Sequence, residues 1–216
     1  MKVISSRLAL QTAILAIVFS AAGQAEDRGT AGFSKQALQA KIEYCKTCHG
    51  LSGQGYRGFF PMPRLAGQET EYFENQLQAF IERRRANKVM YNVARGLSQA
   101  TRTSLATHFR DLNPKPLGGA SRELVAMGKK IYEDGVPETN VPACMACHGP
   151  EAKGHEAIPR LAGQLHDYIS SQLANWSKAR GQDPANPDAS AVMLPTSHNL
   201  SKSQTAAVAA YVSYRQ

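Results

Sequence analysis

The sequence predicts an all-α protein built from two tandem domains that are related by duplication. Two observations lead to this fold class: apolar residues recur at helical spacing, and one block of sequence occurs twice. No stretch shows the strict apolar–polar alternation that is typical of a half-buried strand. The chain has 216 residues, which suits two small domains or one large one at roughly 100–150 residues per domain.

The repeat is clearest in two short motifs. Cys-Lys-Thr-Cys-His-Gly at 45–50 recurs as Cys-Met-Ala-Cys-His-Gly at 144–149, and Pro-Arg-Leu-Ala-Gly-Gln stands at 63–68 and at 159–164. Ten of the 22 positions from 63 to 84 are identical at 159 to 180. We therefore predict the following division of the chain: a signal peptide at 1–25, a first domain at 26–112, a linker at 113–120 and a second domain at 121–216.

Each domain is expected to contain three helices. The middle helices are predicted at 69–84 and 165–180, where apolar and aromatic residues fall on one helical face. Serines precede the other helices and are expected to cap them: Ser34, Ser98, Ser121 and Ser201.

The N-terminus predicts export from the cytoplasm. Lys2 and Arg7 precede a mostly apolar stretch at 8–19, and small residues then lead to a cleavage site after Ala25. An uncleaved anchor is the alternative, although no stretch reaches the roughly 18–20 apolar residues of a membrane span. We therefore expect a periplasmic protein.

The net charge of +8 is unevenly distributed. Residues 26–112 hold 13 basic and 8 acidic side chains, whereas 113–216 hold 10 and 9. A basic half favours an acidic protein partner, and peripheral association with an anionic membrane is a second option. No recognisable nucleic-acid-binding motif is present, so no nucleic-acid partner is expected.

Cys-x-x-Cys-His is the attachment motif of c-type haem. Two thiols one helical turn apart can reach the two vinyl groups of a porphyrin, and the following histidine can then face the iron. A zinc site favours Cys-x-x-Cys pairs about 15–20 residues apart, and a thioredoxin-like disulfide favours a βαβ setting. We expect two covalent haem c groups, held by the following residues: Cys45, Cys48, Cys144 and Cys147 as attachment sites, with His49 and His148 as axial iron ligands.

Met90 and Met193 are the expected sixth ligands of the two irons. They follow the two histidines by 41 and 45 residues, and each lies between the middle and last predicted helices. Thioether is a soft ligand that raises the reduction potential of haem iron. The alternatives are that these methionines only fill the core, that Met62 competes in the first domain, or that His198 competes in the second.

Taken together, these motifs are similar to the di-haem class I cytochromes c of the cytochrome c4 family. The resemblance implies two tandem class I cytochrome c domains, each wrapped round a covalent haem, with the haems close together. It also implies that the carbonyls of Pro63 and Pro159 accept hydrogen bonds from Nδ1 of the two histidines. The segment at 140–142 and an insertion at 181–187 depart from the family pattern.

The expected function is electron transport without catalysis. An iron with His and Met on its two faces has no open position, so we expect neither an enzyme nor a small-molecule substrate. The resemblance implies transfer from quinol–cytochrome c reductase to a terminal oxidase or reductase, and the basic run Arg83, Arg84, Arg85 and Lys88 is a candidate docking surface. The alternatives are a dedicated cytochrome subunit of a periplasmic dehydrogenase, such as one oxidising sulfur compounds, and a di-haem peroxidase.

Overall fold

The computed structural model describes residues 34–180 and 189–216, so the predicted signal peptide and the predicted insertion at 181–187 lie outside the described residues. Within these ranges the chain forms helices joined by loops, with three isolated backbone bridges and no sheet. The all-α prediction is therefore confirmed. In the same ranges no helix is both long enough and apolar enough to cross a bilayer.

From residue 34 to the linker the chain folds into four helices, which are α1 (Lys35–His49), α2 (Thr70–Ile81), α3 (Lys88–Arg95) and α4 (Gln99–Arg110). Ser34 and Ser98 cap α1 and α4 as predicted, because their side chains accept hydrogen bonds from the backbone amides of Ala37 and Thr101. The helices enclose an apolar core in which the Phe73 and Phe109 rings stack 5.8 Å apart.

The second half repeats this plan in more pieces, which are α5 (Glu123–Asp134), α6 (Met145–His148), α7 (His166–Ala174), α8 (Trp176–Ala179), α9 (Met193–Asn199) and α10 (Lys202–Ser213). Ser201 caps α10 as predicted and forms a capping box with Gln204. The predicted cap at Ser121 is wrong by one residue: Arg122 takes the cap position, while the Ser121 hydroxyl accepts from the Glu123 amide at 3.3 Å.

The predicted number of helices, three per domain, was too low. Met90 and Met193 lie in helices α3 and α9 instead of loops, and the Asn87 side chain caps α3 by accepting from the Met90 amide. The predicted middle helices are also shorter than expected. Helix α2 ends before Arg83, which adopts a left-handed φ of 62°, and the second one breaks at Asn175.

The two halves differ in how the chain enters the cysteine motif. Helix α1 runs straight through it, whereas α5 stops at Gly135, whose φ is 76°. A Cβ on Gly135 would lie 2.4 Å from the Val141 carbonyl oxygen, so only glycine fits there. The backbones of Val136 and Val141 pair to close this loop, and helix α6 then carries the rest of the motif.

Helices α5 and α10 cross closely at Gly128. A Cβ on this buried residue would lie 2.0 Å from the carbonyl oxygen of Ala207 and 2.8 Å from Cβ of Tyr211. Backbone cannot give way as a flexible side chain can, so the absent side chain at Gly128 sets the distance between the two helices.

We predict that Gly128→Ala destabilises the protein. The overpacking cost of about 1–3 kcal/mol exceeds the helix-propensity gain of about 1 kcal/mol, because the added methyl group meets backbone. Gly96→Ala is the matched control, since the nearest atom to its added Cβ is 3.5 Å away. Chemical denaturation should show a lower free energy of unfolding for the first variant only, and an equal loss in both would contradict this packing account.

Candidate functional site

The first cysteine motif occupies the C-terminal end of α1. Cys45 is half-buried, Cys48 is exposed, and His49 is the last residue of the helix and only 8% exposed. Gly50 follows with a φ of 85°, and a Cβ there would lie 2.6 Å from the Gly55 carbonyl oxygen. The sharp turn at this glycine brings the following loop back beneath the histidine.

The second motif has the same arrangement on a shorter helix. Cys144 is half-buried, Cys147 is exposed on α6, and His148 ends that helix at 6% exposure. Gly149 again turns the chain with a φ of 76°. The duplication has therefore preserved the local geometry, although the helix leading into it is interrupted.

Each histidine ring is held by one hydrogen bond to the first residue of a Pro-Arg-Leu-Ala-Gly-Gln hexapeptide. Nδ1 of His49 lies 2.8 Å from the Pro63 carbonyl oxygen, and Nδ1 of His148 lies 2.9 Å from that of Pro159. A carbonyl can only accept, so Nδ1 carries the proton and Nε2 keeps its lone pair. Burial holds the pKa of both histidines below the usual value, so both rings are neutral and suited to bind a metal.

The cysteine thiols are free, and two of them are difficult to ionise. Burial raises the pKa of Cys45 and of Cys144 to about 11 in each case. The described residues also contain no group of three or more His, Cys, Asp or Glu side chains that could hold a metal ion. This geometry gives no support to the zinc and disulfide alternatives.

Met90 packs against the first apolar core, in company with Cys45. Met193 is half-buried at the start of α9. Met62 is held elsewhere: its backbone pairs with Tyr56, and it directly precedes Pro63, which places it in the loop that supports the His49 ring. Met62 thus lies in the loop on the His49 side, whereas Met90 lies on α3.

The two hexapeptides contact each other across the domain boundary. The backbone amide and carbonyl of Arg64 bond to the side chain of Gln164, at 2.7 and 3.0 Å. The backbone of Arg160 makes the same two contacts with Gln68, at 2.8 and 3.2 Å. Both glutamines are buried, so this reciprocal pairing joins the two domains through the same segments that hold the histidines.

A second set of contacts surrounds two arginines between the domains. Arg85 bonds to Gln76, to Gln172 and to the Tyr168 hydroxyl, and Arg180 bonds to Gln76 at 2.6 Å, to Gln172 at 3.3 Å and to the Tyr72 hydroxyl at 3.4 Å. Burial raises the pKa of Tyr72, but the charges of Arg180 and Arg85 outweigh it and leave that pKa below its usual value.

Comparison with known proteins identifies the family. The family model described as Cytochrome c matches residues 34–113 and 125–216. The chain is 37% identical to cytochrome c4 of Thiocapsa roseopersicina over 82% of this chain and 90% of that one. It is 36% identical to a thiosulfate dehydrogenase electron acceptor of Thiomonas intermedia, over 78% and 76% of the two chains. Among solved structures, Acidithiobacillus ferrooxidans cytochrome c4 matches with a TM-score of 0.68 at 34% identity, covering 80% of this chain and 99% of that one.

The chain belongs to the cytochrome c4 family. It consists of two tandem cytochrome c domains and carries two covalently bound haem c groups, one for each Cys-x-x-Cys-His motif. Like other cytochromes c4, it is a di-haem protein that carries electrons.

The residues present fit a haem c group in each domain of this cytochrome c4. Both motifs keep free thiols beside a buried histidine whose Nε2 is the ring nitrogen left for a metal. Apolar side chains line the same regions: Leu65 and Met90 pack against the first core, and Leu161 and Leu173 pack against the second. A covalently attached haem in such a site would need no cluster of further metal-binding side chains.

The structure corrects the interpretation of the basic run. Arg85 turns into the domain interface, and Arg84 pairs with Glu82, so neither presents a free cationic surface. In the sequence repeat Arg84 aligns with Arg180, but in the structure Arg85 is the residue that, like Arg180, bonds to both Gln76 and Gln172. Arg83 has a left-handed backbone, and this extra position places Arg85 in the interface one residue later than the aligned sequence predicts.

Sequence reasoning missed the role of the interdomain glutamines and tyrosines. Tyr72 and Gln76 fall on the same face of the predicted middle helix as Leu77, but their identical counterparts Tyr168 and Gln172 indicate a contact shared by both domains. Among the remaining histidines, His166 pairs with Asp167 at 2.8 Å and His198 is exposed.

Proposed function

We propose that this cytochrome c4 is a periplasmic carrier that takes electrons from quinol–cytochrome c reductase and passes them to a terminal oxidase or reductase. The observation that carries the proposal is the paired geometry of His49 and His148, each buried and held through Nδ1 by a proline carbonyl at 2.8 or 2.9 Å. A ring held in this way keeps its orientation when the charge of a bound metal changes, which lowers the reorganisation needed for electron transfer.

We assign the site residues as follows. Cys45 and Cys48 would hold the first haem, Cys144 and Cys147 would hold the second, and the iron ligands would be His49 with Met90 and His148 with Met193. A haem bound at each site supplies an iron that accepts or releases one electron. The proline carbonyls orient the two buried histidine rings, and Met90 and Met193 would each supply a thioether as the second iron ligand.

The methionine assignment predicts a specific loss of signal. Met90→Ala and Met193→Ala should each remove about half of the near-infrared charge-transfer band that a thioether gives with ferric haem, because each contributes one of two such bonds. Met62→Ala is the matched control and should keep the whole band. Optical spectra of the oxidised variants measure this, and a loss in M62A would contradict the assignment.

The domain interface supports the proposed carrier function, in which each of the two haems would hold one electron. Four side chain–backbone hydrogen bonds between the hexapeptides hold the domains together at the level of the histidines. Backbone contacts extend this interface, with the Ala86 amide 2.8 Å from the Ala179 carbonyl and the Tyr72 amide 3.2 Å from the Glu156 carbonyl. Domains docked in this way would keep haems bound at the two histidines at a constant separation.

A dehydrogenase partner is the second candidate. The relative in Thiomonas intermedia is named a thiosulfate dehydrogenase electron acceptor, and it is almost as similar to this chain as the cytochrome c4 of Thiocapsa roseopersicina. A sulfur-compound-oxidising dehydrogenase would then supply the electrons in place of the quinol-oxidising complex.

Exposed cations around Met90 are the proposed docking surface for an acidic partner. Arg83 lies 4.7 Å from the centre of the Tyr91 ring, Arg95 lies 5.6 Å from it, and Lys88 is exposed at the start of α3. These charges lie on or beside α3, the helix that carries Met90, and Val89 between them is 68% exposed. A cationic rim around a small apolar centre suits transient association with an acidic protein.

Donor kinetics test both the route and this docking surface. We expect purified quinol–cytochrome c reductase to reduce the protein faster than thiosulfate dehydrogenase does, with a rate that falls as salt is added. Replacing Arg83 and Lys88 by Gln should slow the reaction about three- to tenfold at low ionic strength. Lys129→Gln, on α5, is the control, and a faster reaction with thiosulfate dehydrogenase would favour the second candidate.

Peripheral membrane association is proposed for a loop that only the first domain has. Five residues separate the paired backbones of Tyr56 and Met62, whereas two separate His155 and Ile158 in the second domain. The longer loop carries Phe59 and Phe60, whose rings lie 4.8 Å apart and are 93% and 71% exposed.

This aromatic tip is not required to build the histidine site. The second domain forms the same histidine–proline contact with the shorter turn, at 2.9 Å against 2.8 Å. Arg57 lies at the base of the tip, next to Gly119 of the linker. Exposed aromatic rings next to a cation favour the interface of an anionic bilayer.

Vesicle binding tests this proposal. Phe59→Ser/Phe60→Ser should lower binding to phosphatidylglycerol vesicles at least tenfold, because insertion of each ring is worth about 1.5–3 kcal/mol. Met127→Ser, an exposed apolar residue of the second domain, should bind as the wild type does. Equal sedimentation of all three proteins with the vesicles would exclude a membrane role for the loop.

A further inference from the structure

In each domain, one peptide group accepts a hydrogen bond at its carbonyl and donates another from its N–H. The Pro63–Arg64 peptide accepts from Nδ1 of His49 at its carbonyl, at 2.8 Å, and donates from its N–H to Oε1 of Gln164, at 2.7 Å. The glutamine belongs to the opposite domain. A continuous chain of two hydrogen bonds therefore links the first histidine to a side chain of the second domain.

The second domain contains the equivalent pair of hydrogen bonds. The Pro159–Arg160 peptide accepts from Nδ1 of His148 at 2.9 Å and donates to Oε1 of Gln68 at 2.8 Å. Two independent copies of the same connection, with distances that agree within 0.1 Å, make an accidental contact an unsatisfactory explanation.

Both glutamine amides are fixed in orientation. Oε1 of Gln164 also accepts from the Leu165 amide at 3.0 Å, while its Nε2 donates to the Arg64 carbonyl at 3.0 Å. Oε1 of Gln68 accepts from the Glu69 amide at 3.0 Å, and its Nε2 donates to the Arg160 carbonyl at 3.2 Å. A flipped amide would place donors against donors, so the oxygen must face the Pro–Arg peptide.

Hydrogen bonds in a chain polarise one another. A peptide whose N–H donates to a strong acceptor becomes a better acceptor at its own carbonyl. A stronger Nδ1–H···O bond makes the imidazole a more basic ligand at Nε2, which favours the more positive state of a bound metal. The glutamine of one domain therefore acts on the histidine of the other through the peptide between them.

We propose that Gln164 is a positioning residue that lowers the reduction potential of the first haem, and that Gln68 does the same for the second haem. The inference rests on the proposed function, in which His49 and His148 are the axial ligands. Docking of the domains is then part of how each potential is set, because each domain supplies the last acceptor in the chain that begins at the histidine of its partner domain.

The test is a redox titration of the holoprotein variants Gln164→Met and Gln68→Met. Methionine keeps the length of glutamine and its neutral charge, but it replaces the strong amide-oxygen acceptor of the Arg64 or Arg160 amide with a weakly accepting sulfur. The titration should show two reduction steps, one for each haem. Met90→His lowers the potential of the first haem and so identifies which step belongs to it. Q164M should raise the potential of the first haem alone, and Q68M should raise that of the second alone.

The resonances of the histidine Nδ1 protons give a second readout. General loss of packing would not change only the histidine of the domain opposite the substituted glutamine. In Q164M the iron-shifted proton resonance of His49 should move and exchange faster, while that of His148 stays in place. Unchanged potentials in both variants, or an equal shift of both haems in each, would overturn the proposal. A wild-type protein without iron-shifted histidine resonances would instead contradict the ligand assignment itself.

Gln164→Glu covers the case in which methionine undocks the domains. Its carboxylate still accepts from the Arg64 and Leu165 amides but can no longer donate to the Arg64 carbonyl, so it weakens the interface while keeping the acceptor. The potential of the first haem should therefore not rise, and the His49 proton should remain protected. A rise in Q164E equal to that in Q164M would mean that loosening of the interface, and not the lost acceptor, controls the potential.

Discussion

In each domain the Nδ1–H of a buried histidine donates a hydrogen bond to a proline carbonyl, and the other features of the site depend on this bond. The helix ends at the histidine, a left-handed glycine turns the chain, and the loop returns to place Pro63 or Pro159 beneath the ring. The residues after the proline then join the two domains. A single hexapeptide thus orients a metal ligand and builds the interface, so neither can change without affecting the other.

Much of this organisation could be predicted because it depends on local patterns. Cys-x-x-Cys-His, the serine caps at 34, 98 and 201, and the repeated hexapeptide all act over a few residues. The rest depends on contacts between distant segments. Gln164 bonds to Arg64 from a hundred positions away, and no local pattern in the sequence reports such a contact. The left-handed Arg83, which moves Arg85 into the interface, likewise has no signature in a helical stretch.

The duplicated halves have diverged outside the shared site. The first domain has the aromatic loop around Phe59 and the cations near Met90, whereas the second has the detour between Gly135 and Cys144 and a helix broken at Asn175. The geometry of the histidine–proline pair is the same in both. Differences between the haems should therefore come from their surroundings and partners, while the attachment and orientation of each group remain common to both.

The central claim is that both haem sites are closed on both faces, as a carrier requires. The most direct measurement is the number of haems per chain together with the optical spectrum of the reduced wild-type protein before and after addition of carbon monoxide. The account predicts two haems and no spectral change on adding the gas. Binding of carbon monoxide to either haem would show an open or displaceable sixth position, and the closed-site electron carrier proposed above would then be wrong.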